Sequence, residues 1–411
     1  MNAREILRRP GFAPLATTYG LSEIGDWLTT IALSVLVYDA TGSPLATTVL
    51  FVCSKFLPAF VAPAVTARID GIAPRRSLPL LYLVEAAGFA GMAALAGLVP
   101  ALVALAAVCG GAALVARALT RAAVAAALAD EDDDGLALRH GNGLLNVVFS
   151  VAFAVGPAVA GGAVATLGAP ATLAAGAAVF AAMALIARLS VLPSLVVDAD
   201  EDGDGWWDKL ARGVRHLRRE PLTARMFGGQ AALLVLFTMI PPIEVVYARH
   251  ELGTTAAGLG ALMAAWGAGA VAGSAIFARV SRGATLGVAL VASAAIGASY
   301  LGMGVAGSLT TACVLSALGG VGNGMQWIAF VTAVQERVPA ELQARAMSLV
   351  EALGSAVPGL GFALGGVLAA AVSARFAYML TGGSILTIVA VAALALRGLP
   401  GTHPRTAVSP A

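Results

Sequence analysis

Predominantly apolar stretches recur twelve times along the chain, at about 14 to 38, 45 to 67, 78 to 98, 101 to 121, 142 to 165, 171 to 191, 226 to 248, 256 to 279, 285 to 305, 310 to 334, 346 to 371 and 376 to 396. Each has roughly the 20 residues that an α-helix needs, at about 1.5 Å per residue, to cross the hydrocarbon core of a bilayer. None alternates apolar and polar positions in the manner of a membrane β-barrel strand. The pattern predicts an all-α membrane protein with twelve transmembrane helices in two pseudo-symmetric six-helix bundles. Its connectors are short on one side and charged on the other.

The longest polar stretch, 193 to 225, divides the spans into two sets of six. The expected organisation is an N-terminal bundle over 1–192, a cytoplasmic linker carrying a basic amphipathic helix over 193–225, a C-terminal bundle over 226–397 and a tail over 398–411. An internal echo supports two related halves. Gly42 after the first span precedes Arg68 by 26 residues, and Gly253 after the seventh precedes Arg279 by 26. Gly156-Pro157 before Gly161-Gly162 is matched by Pro358-Gly359 before Gly365-Gly366. Related halves are the architecture of many secondary transporters.

Composition agrees with the pattern. The 411 residues are 59% hydrophobic and only 12% charged, against about 25% charged in soluble domains. No charge-balanced stretch is long enough for a water-soluble enzyme domain. Of the 25 Lys and Arg, Lys55 lies inside a span and Arg249 and Arg375 flank even-numbered gaps. The other 22 lie at the N-terminus, in or beside alternate loops, or at the C-terminus, which places both termini in the cytoplasm. The first run contains Glu23 and Asp26 and is followed by no small-residue cleavage pattern, so it reads as a retained span.

Several chemistries are excluded. The only two lysines are Lys55 and Lys209, and no phosphate-binding loop ends in Gly-Lys-Ser/Thr, so direct ATP drive within the chain is ruled out. No nucleophile elbow or zinc-protease helix is present, and an enzyme is not expected. Cys53, Cys109 and Cys313 are far apart inside apolar runs, and the four histidines are scattered, so no cofactor or metal is expected. The acidic run 198 to 205 matches the first seven positions of a calcium loop, but its twelfth position is Lys209 rather than Glu. It reads as a solvated linker that docks on the neighbouring basic helix.

Order and spacing of short motifs now add a resemblance. They are Gly25-Asp26-Trp27, Thr41-Gly42-Ser43-Pro44, Leu57-Pro58, Asn142, Gly156-Pro157, the stretch from Gly213 to Pro221, and Gln335 through Pro339 to Arg345. With these the chain resembles the major facilitator superfamily over nearly its whole length, and specifically the drug:proton antiporter branch of the macrolide efflux pumps and the enterobactin exporter. The resemblance implies a gating loop at Asp70, Arg75 and Arg76, although Thr66 stands where that loop expects Gly and Gly71 where it expects Arg. It also implies export, because a similar Gly-Pro motif in the fifth span accompanies that direction. Here Gly156, Pro157, Gly161 and Gly162 form the antiporter-like kink, with one residue more between Pro and the paired Gly. A purely structural kink is the alternative.

Charges inside spans are the sharpest chemical signal, since each costs about 2.5–3.5 kcal/mol on insertion scales. Asp26 and Lys55 fall near the middles of spans one and two and are expected to pair. Glu23, three residues before Asp26, shares its helical face. Two carboxylates and one ammonium at one point would leave a carboxyl able to hold a proton; alternatively the pair only pins two helices. Glu85 in span three is a further candidate for proton coupling. Arg117 and Glu351, about two turns toward the cytoplasm in spans four and eleven, are weaker candidates. Glu244 follows Pro241-Pro242 and reads as a hinge or a titrating site. Asn323, Gln326 and Trp327 at mid-depth in span ten are candidates to line a substrate cavity, with Glu244 beside them, or to glue helices together.

The resulting expectation is a secondary transporter of the bacterial inner membrane, exporting a small amphipathic organic compound in exchange for protons by alternating access. Its expected partners are a small-molecule substrate, protons and the lipid bilayer, not nucleic acid, and it is expected to act as a monomer. Uptake or lipid movement on the same fold, and a non-transporting sensor or scaffold, are the alternatives.

Overall fold

The computed structural model describes residues 11–61, 74–128, 136–190, 221–279, 285–337, 349–350, 353–354 and 356–397. Their helices, in chain order, are α1 Phe12–Thr41, α2 Pro44–Val61, α3 Pro74–Ala94, α4 Val99–Leu128, α5 Leu136–Leu167 and α6 Ala169–Leu189. They continue as α7 Arg225–Glu251, α8 Ala256–Phe277, α9 Thr285–Val305, α10 Leu309–Arg337, α11 Pro358–Ala371 and α12 Ala374–Arg397. Eleven are long and apolar enough to cross a membrane; α11 is described as a shorter apolar helix inside the predicted eleventh run. The chain is an all-helical multi-pass membrane protein.

Local chemistry explains the tight turns. Gly42 ends α1 in the left-handed region at φ 61°, which needs no Cβ, and its N–H returns to the Tyr38 carbonyl at 2.7 Å. Ser43 then caps α2 by accepting from the Ala46 N–H, with Pro44 at the first helical position. The Thr41-Gly42-Ser43-Pro44 motif is therefore a helix stop followed by a helix start. Gly253 after α7 has the same φ of 61°, so the echo between Gly42 and Gly253 is a backbone echo as well.

Helix pairing repeats with an offset of six. α1 packs on α5 as α7 packs on α11, and α3 packs on α6 as α9 packs on α12. The two sets meet where α5 lies on α8 and α2 lies on α11. Glycines permit both approaches. A Cβ on Gly260 would overlap the Pro157 carbonyl and the Gly161 backbone, while one on Gly366 would overlap the Thr48 side chain. Pro157 does not break α5, which runs through it as one helix.

Both crossings lie toward the end of the bundle that carries the connections 42–43, 168, 252–255 and 372–373, called here the far end. Further ties reinforce it. Arg249 of α7 donates to Asp39 of α1 at 2.6 Å, and Thr47 of α2 donates to the Pro242 carbonyl at 2.9 Å. Arg375 donates to Glu251 at 3.0 Å and to the Ala306 carbonyl at 2.8 Å. Asp70, Glu351, the acidic run 198 to 205 and nearly all of the linker lie outside the described residues.

Gly260→Val is expected to part α5 from α8, because backbone rather than a movable side chain occupies the space. A cysteine reporter at Thr30, in a background lacking the native cysteines, should then label faster with a thiol reagent applied from the far end. Unchanged labelling contradicts the assignment of this contact to the seal.

Candidate functional site

Charge inside the fold collects on the first four helices. Arg117 on α4 donates to Asp26 Oδ2 at 2.6 Å and lies 3.5 Å from Glu23 Oε1. Lys55 Nζ approaches the same Asp26 oxygen at 3.8 Å. Asp26 thus holds two cations from two helices, and the shorter contact belongs to Arg117. The expected Asp26–Lys55 pair is present, but it is the longer arm of a four-residue cluster.

The importance of Arg117 escaped the sequence reading because span four was drawn too short. With α4 running from Val99 to Leu128, Arg117 lies only four residues past the helix centre, about 5–6 Å in depth. A guanidinium side chain spans that distance. Lys55 has its own local device, a π-helical turn at Val52–Phe56 inside α2. Such turns displace side chains from regular helical register and occur often at functional sites. Gly110 lets α4 approach this turn, since a Cβ there would overlap the Ser54 carbonyl.

Glu85 completes the group from α3. It is 1% exposed, and its Oε2 has no hydrogen-bond partner. It shares a pit of about 20 Å³ with Asp26 and Lys55, room for about one water molecule. Among the described residues, four acids and two bases stand around the middle of the bundle once Glu244 is included. Glu23 and Asp26 are matched by Arg117 and Lys55, whereas Glu85 and Glu244 have no cation within salt-bridge distance among the described residues.

Glu244 sits where α7 changes geometry. The α-helix Pro221–Thr238 gives way to a 3-10 turn at Pro241–Ile243, three α-helical residues Glu244–Val246, and a π turn at Tyr247–Glu251. Two consecutive prolines remove two backbone donors, so a regular ladder cannot pass through. The broken segment borders a central cavity of about 320 Å³ that also touches Glu23, Asp26 and Lys55.

A second cavity of about 500 Å³ lies nearer the end of the bundle that carries the termini, and both cavities share Phe149, Phe153 and Phe237 as wall. Asn323 and Trp327 line it, and Trp327 is 38% exposed. Gln326 also lines it and donates to Gln230 on α7, another of its wall residues, at 2.6 Å. Gln230 was missed by the sequence reading, although it is the only amide in the apolar run of α7. The four α5 residues have different neighbours. Gly156 faces the Trp27 indole and Gly161 faces α8, the Pro157 carbonyl faces Gly260, and Gly162 has open space. Arg75 and Arg76 are exposed in the first turn of α3.

A family model described as transmembrane secretion effector matches residues 5–409. Solved structures with a similar fold include the nucleoside transporter NupG, with a TM-score of 0.70 at 15% identity, covering 94% of this chain and 99% of that one. The POT family transporter PepTSo gives 0.69 at 11% identity, covering 94% and 97%. A bacterial homologue of the iron transporter ferroportin, in its inward-facing state, gives 0.68 at 15% identity, covering 95% and 98%. At such identities the likeness establishes the fold alone. No curated protein matches the chain.

Arg117→Met is expected to destabilise the protein more than Lys55→Met. The hydrogen bond of Arg117 to a charged partner is worth about 1.5–3 kcal/mol, less what residual solvent exposure removes, and the contact of Lys55 is longer. Thermal unfolding of the purified variants in one detergent tests the order. Equal midpoints contradict the primacy of Arg117.

Proposed function

The chain belongs to the transmembrane secretion effector family, transporters of the major facilitator type, and from that premise we propose that it exports a small amphipathic organic compound in exchange for protons. The observation that carries this reading is the surplus carboxyl Glu85, buried with an unpartnered oxygen in the small pit that it shares with Asp26 and Lys55, two residues that also line the central cavity. An isolated charge in a low-dielectric interior is costly enough that such a group takes up a proton instead. A group that must gain and lose a proton as its surroundings change is what ion coupling requires.

Alternating access supplies the change of surroundings. With both termini in the cytoplasm, as the distribution of basic residues supports, the far end faces outward and is closed here by the Asp39–Arg249 pair and the α5–α8 contact. The larger cavity then lies on the cytoplasmic side. Substrate enters there, the halves rock, and the far end opens. Protons enter from outside and reach Asp26 or Glu85 across the emptied central cavity. Neutralising Asp26 frees Lys55 and Arg117 from their shared partner, which loosens α2 and α4 from α1. Substrate and proton compete because each favours the state that the other empties.

Export rather than uptake is supported by the description of the family and by the Gly-Pro step in α5. Its glycines lie on the contacts of α5 with α1 and α8, so a change there alters how the halves meet.

The test uses everted membrane vesicles with an acid interior and a compound selected by a resistance screen in cells expressing the protein. The wild type should accumulate the compound inside the vesicles. Asp26→Asn and Glu85→Gln, present at equal levels, are each expected to reduce gradient-driven accumulation at least about tenfold, the scale of one essential charged group. Full pH-driven accumulation by both variants removes the cluster from the coupling mechanism.

A further inference from the structure

The two unpaired carboxyls stand in different spaces. Glu85 faces a pit with room for little beyond a water molecule, while Glu244 borders the central cavity of about 320 Å³. Glu244 also has no hydrogen bond or ion pair among the described residues, and its place in the broken segment of α7 fixes it at the cavity wall. Lys55 borders the same cavity but is held by Asp26, and no cation among the described residues lies within salt-bridge distance of Glu244.

Aromatic rings do meet it. Trp266 and Tyr300 stack at 5.4 Å, Tyr300 meets Tyr378 edge to face at 5.6 Å, and all three line the cavity with Glu244. Tyr378 is fully buried, yet its hydroxyl has no partner. A carboxylate without a counter-ion, set against electron-rich ring faces and an unsatisfied hydroxyl, matches one kind of guest. An organic cation gains the Coulomb attraction of the carboxylate and the quadrupole attraction of the rings, and its weak hydration makes desolvation tolerable. An anion would meet an excess negative charge, and a neutral guest would leave the Glu244 charge to be met by a proton instead.

We propose that Glu244, with Trp266, Tyr300 and Tyr378, forms the recognition site for the positively charged head of an amphipathic organic cation. The apolar remainder of that cation extends past the shared Phe153 and Phe237 wall into the larger cavity toward the termini. This names the substrate class of the transport reading above and rests on that reading. The two acids in excess then divide the work: Glu85 has room for a proton and no more, and Glu244 has room for a guest.

Binding of tritiated tetraphenylphosphonium to the purified full-length protein, in mildly alkaline buffer without any gradient, tests the proposal. Saturable binding is expected, and Glu244→Gln should weaken it about tenfold or more, the scale of one lost charge-assisted contact. Neutral triphenylphosphine oxide, with similar rings and no charge, should compete about tenfold or more weakly than unlabelled tetraphenylphosphonium. Because that competition uses only the wild type, it decides the matter even if the variant folds poorly. No saturable binding, equal binding by Glu244→Gln, or equal competition by the neutral compound overturns the proposal. Gradient-driven accumulation of the screened compound in vesicles is a separate measurement, so its persistence alongside such a result would overturn the substrate class and leave proton-coupled export standing.

Discussion

The cost of holding charge in a medium that cannot solvate it governs this structure. A carboxylate within a transmembrane span must be paired, protonated or given to a ligand. Asp26 is the clearest instance of pairing, with Arg117 at 2.6 Å and Lys55 at 3.8 Å on one oxygen. Those contacts tie α1 to α2 and α4, so removing a charge alters three helices together. The same cost makes Glu85 and Glu244 informative, because a fold gains nothing from a buried acid that meets no cation.

Chemistry is distributed unequally between two halves of similar shape. Pairing of helices repeats with an offset of six, and even the left-handed glycines at Gly42 and Gly253 recur. Yet the basic residues at mid-depth, Arg117 and Lys55, come from the first half, while the second supplies Glu244, the Trp266–Tyr300–Tyr378 rings and the Gln230–Gln326 amide pair. The cavities lie where these unlike surfaces face each other, and the far-end contacts close them on one side. A guest in the central cavity therefore touches Asp26 and Glu244 together, so the groups proposed for protons and for substrate share one wall.

The fold was legible because it follows from run lengths of apolar residues and from punctuation such as Gly42-Ser43-Pro44, both of which act locally. Span positions also gave Asp26 and Lys55 as partners, since two charges at equal depth on neighbouring helices have few alternatives. Arg117 was underestimated for a geometric reason: α4 continues seven residues beyond its apolar run, which moves the helix centre about 4 Å toward Arg117. Gln230 carries only a faint signal alone, and its meaning appears once Gln326 is placed opposite it. The aromatic wall around Glu244 was out of reach, because Trp266, Tyr300 and Tyr378 come from three spans and no periodicity relates them. Pro241-Pro242 did mark the break that presents Glu244.

The protonation state of Glu85 is the most direct test of the charge division on which the whole account rests. Infrared difference spectroscopy of the purified protein near neutral pH reads the C=O stretch of a protonated, desolvated carboxyl. The wild type is expected to contain such a band, Glu85→Gln to abolish its Glu85 component, and Asp26→Asn to leave that component in place. A wild-type spectrum with no protonated-carboxyl band, or one that Glu85→Gln leaves unchanged, contradicts the assignment of the proton to Glu85.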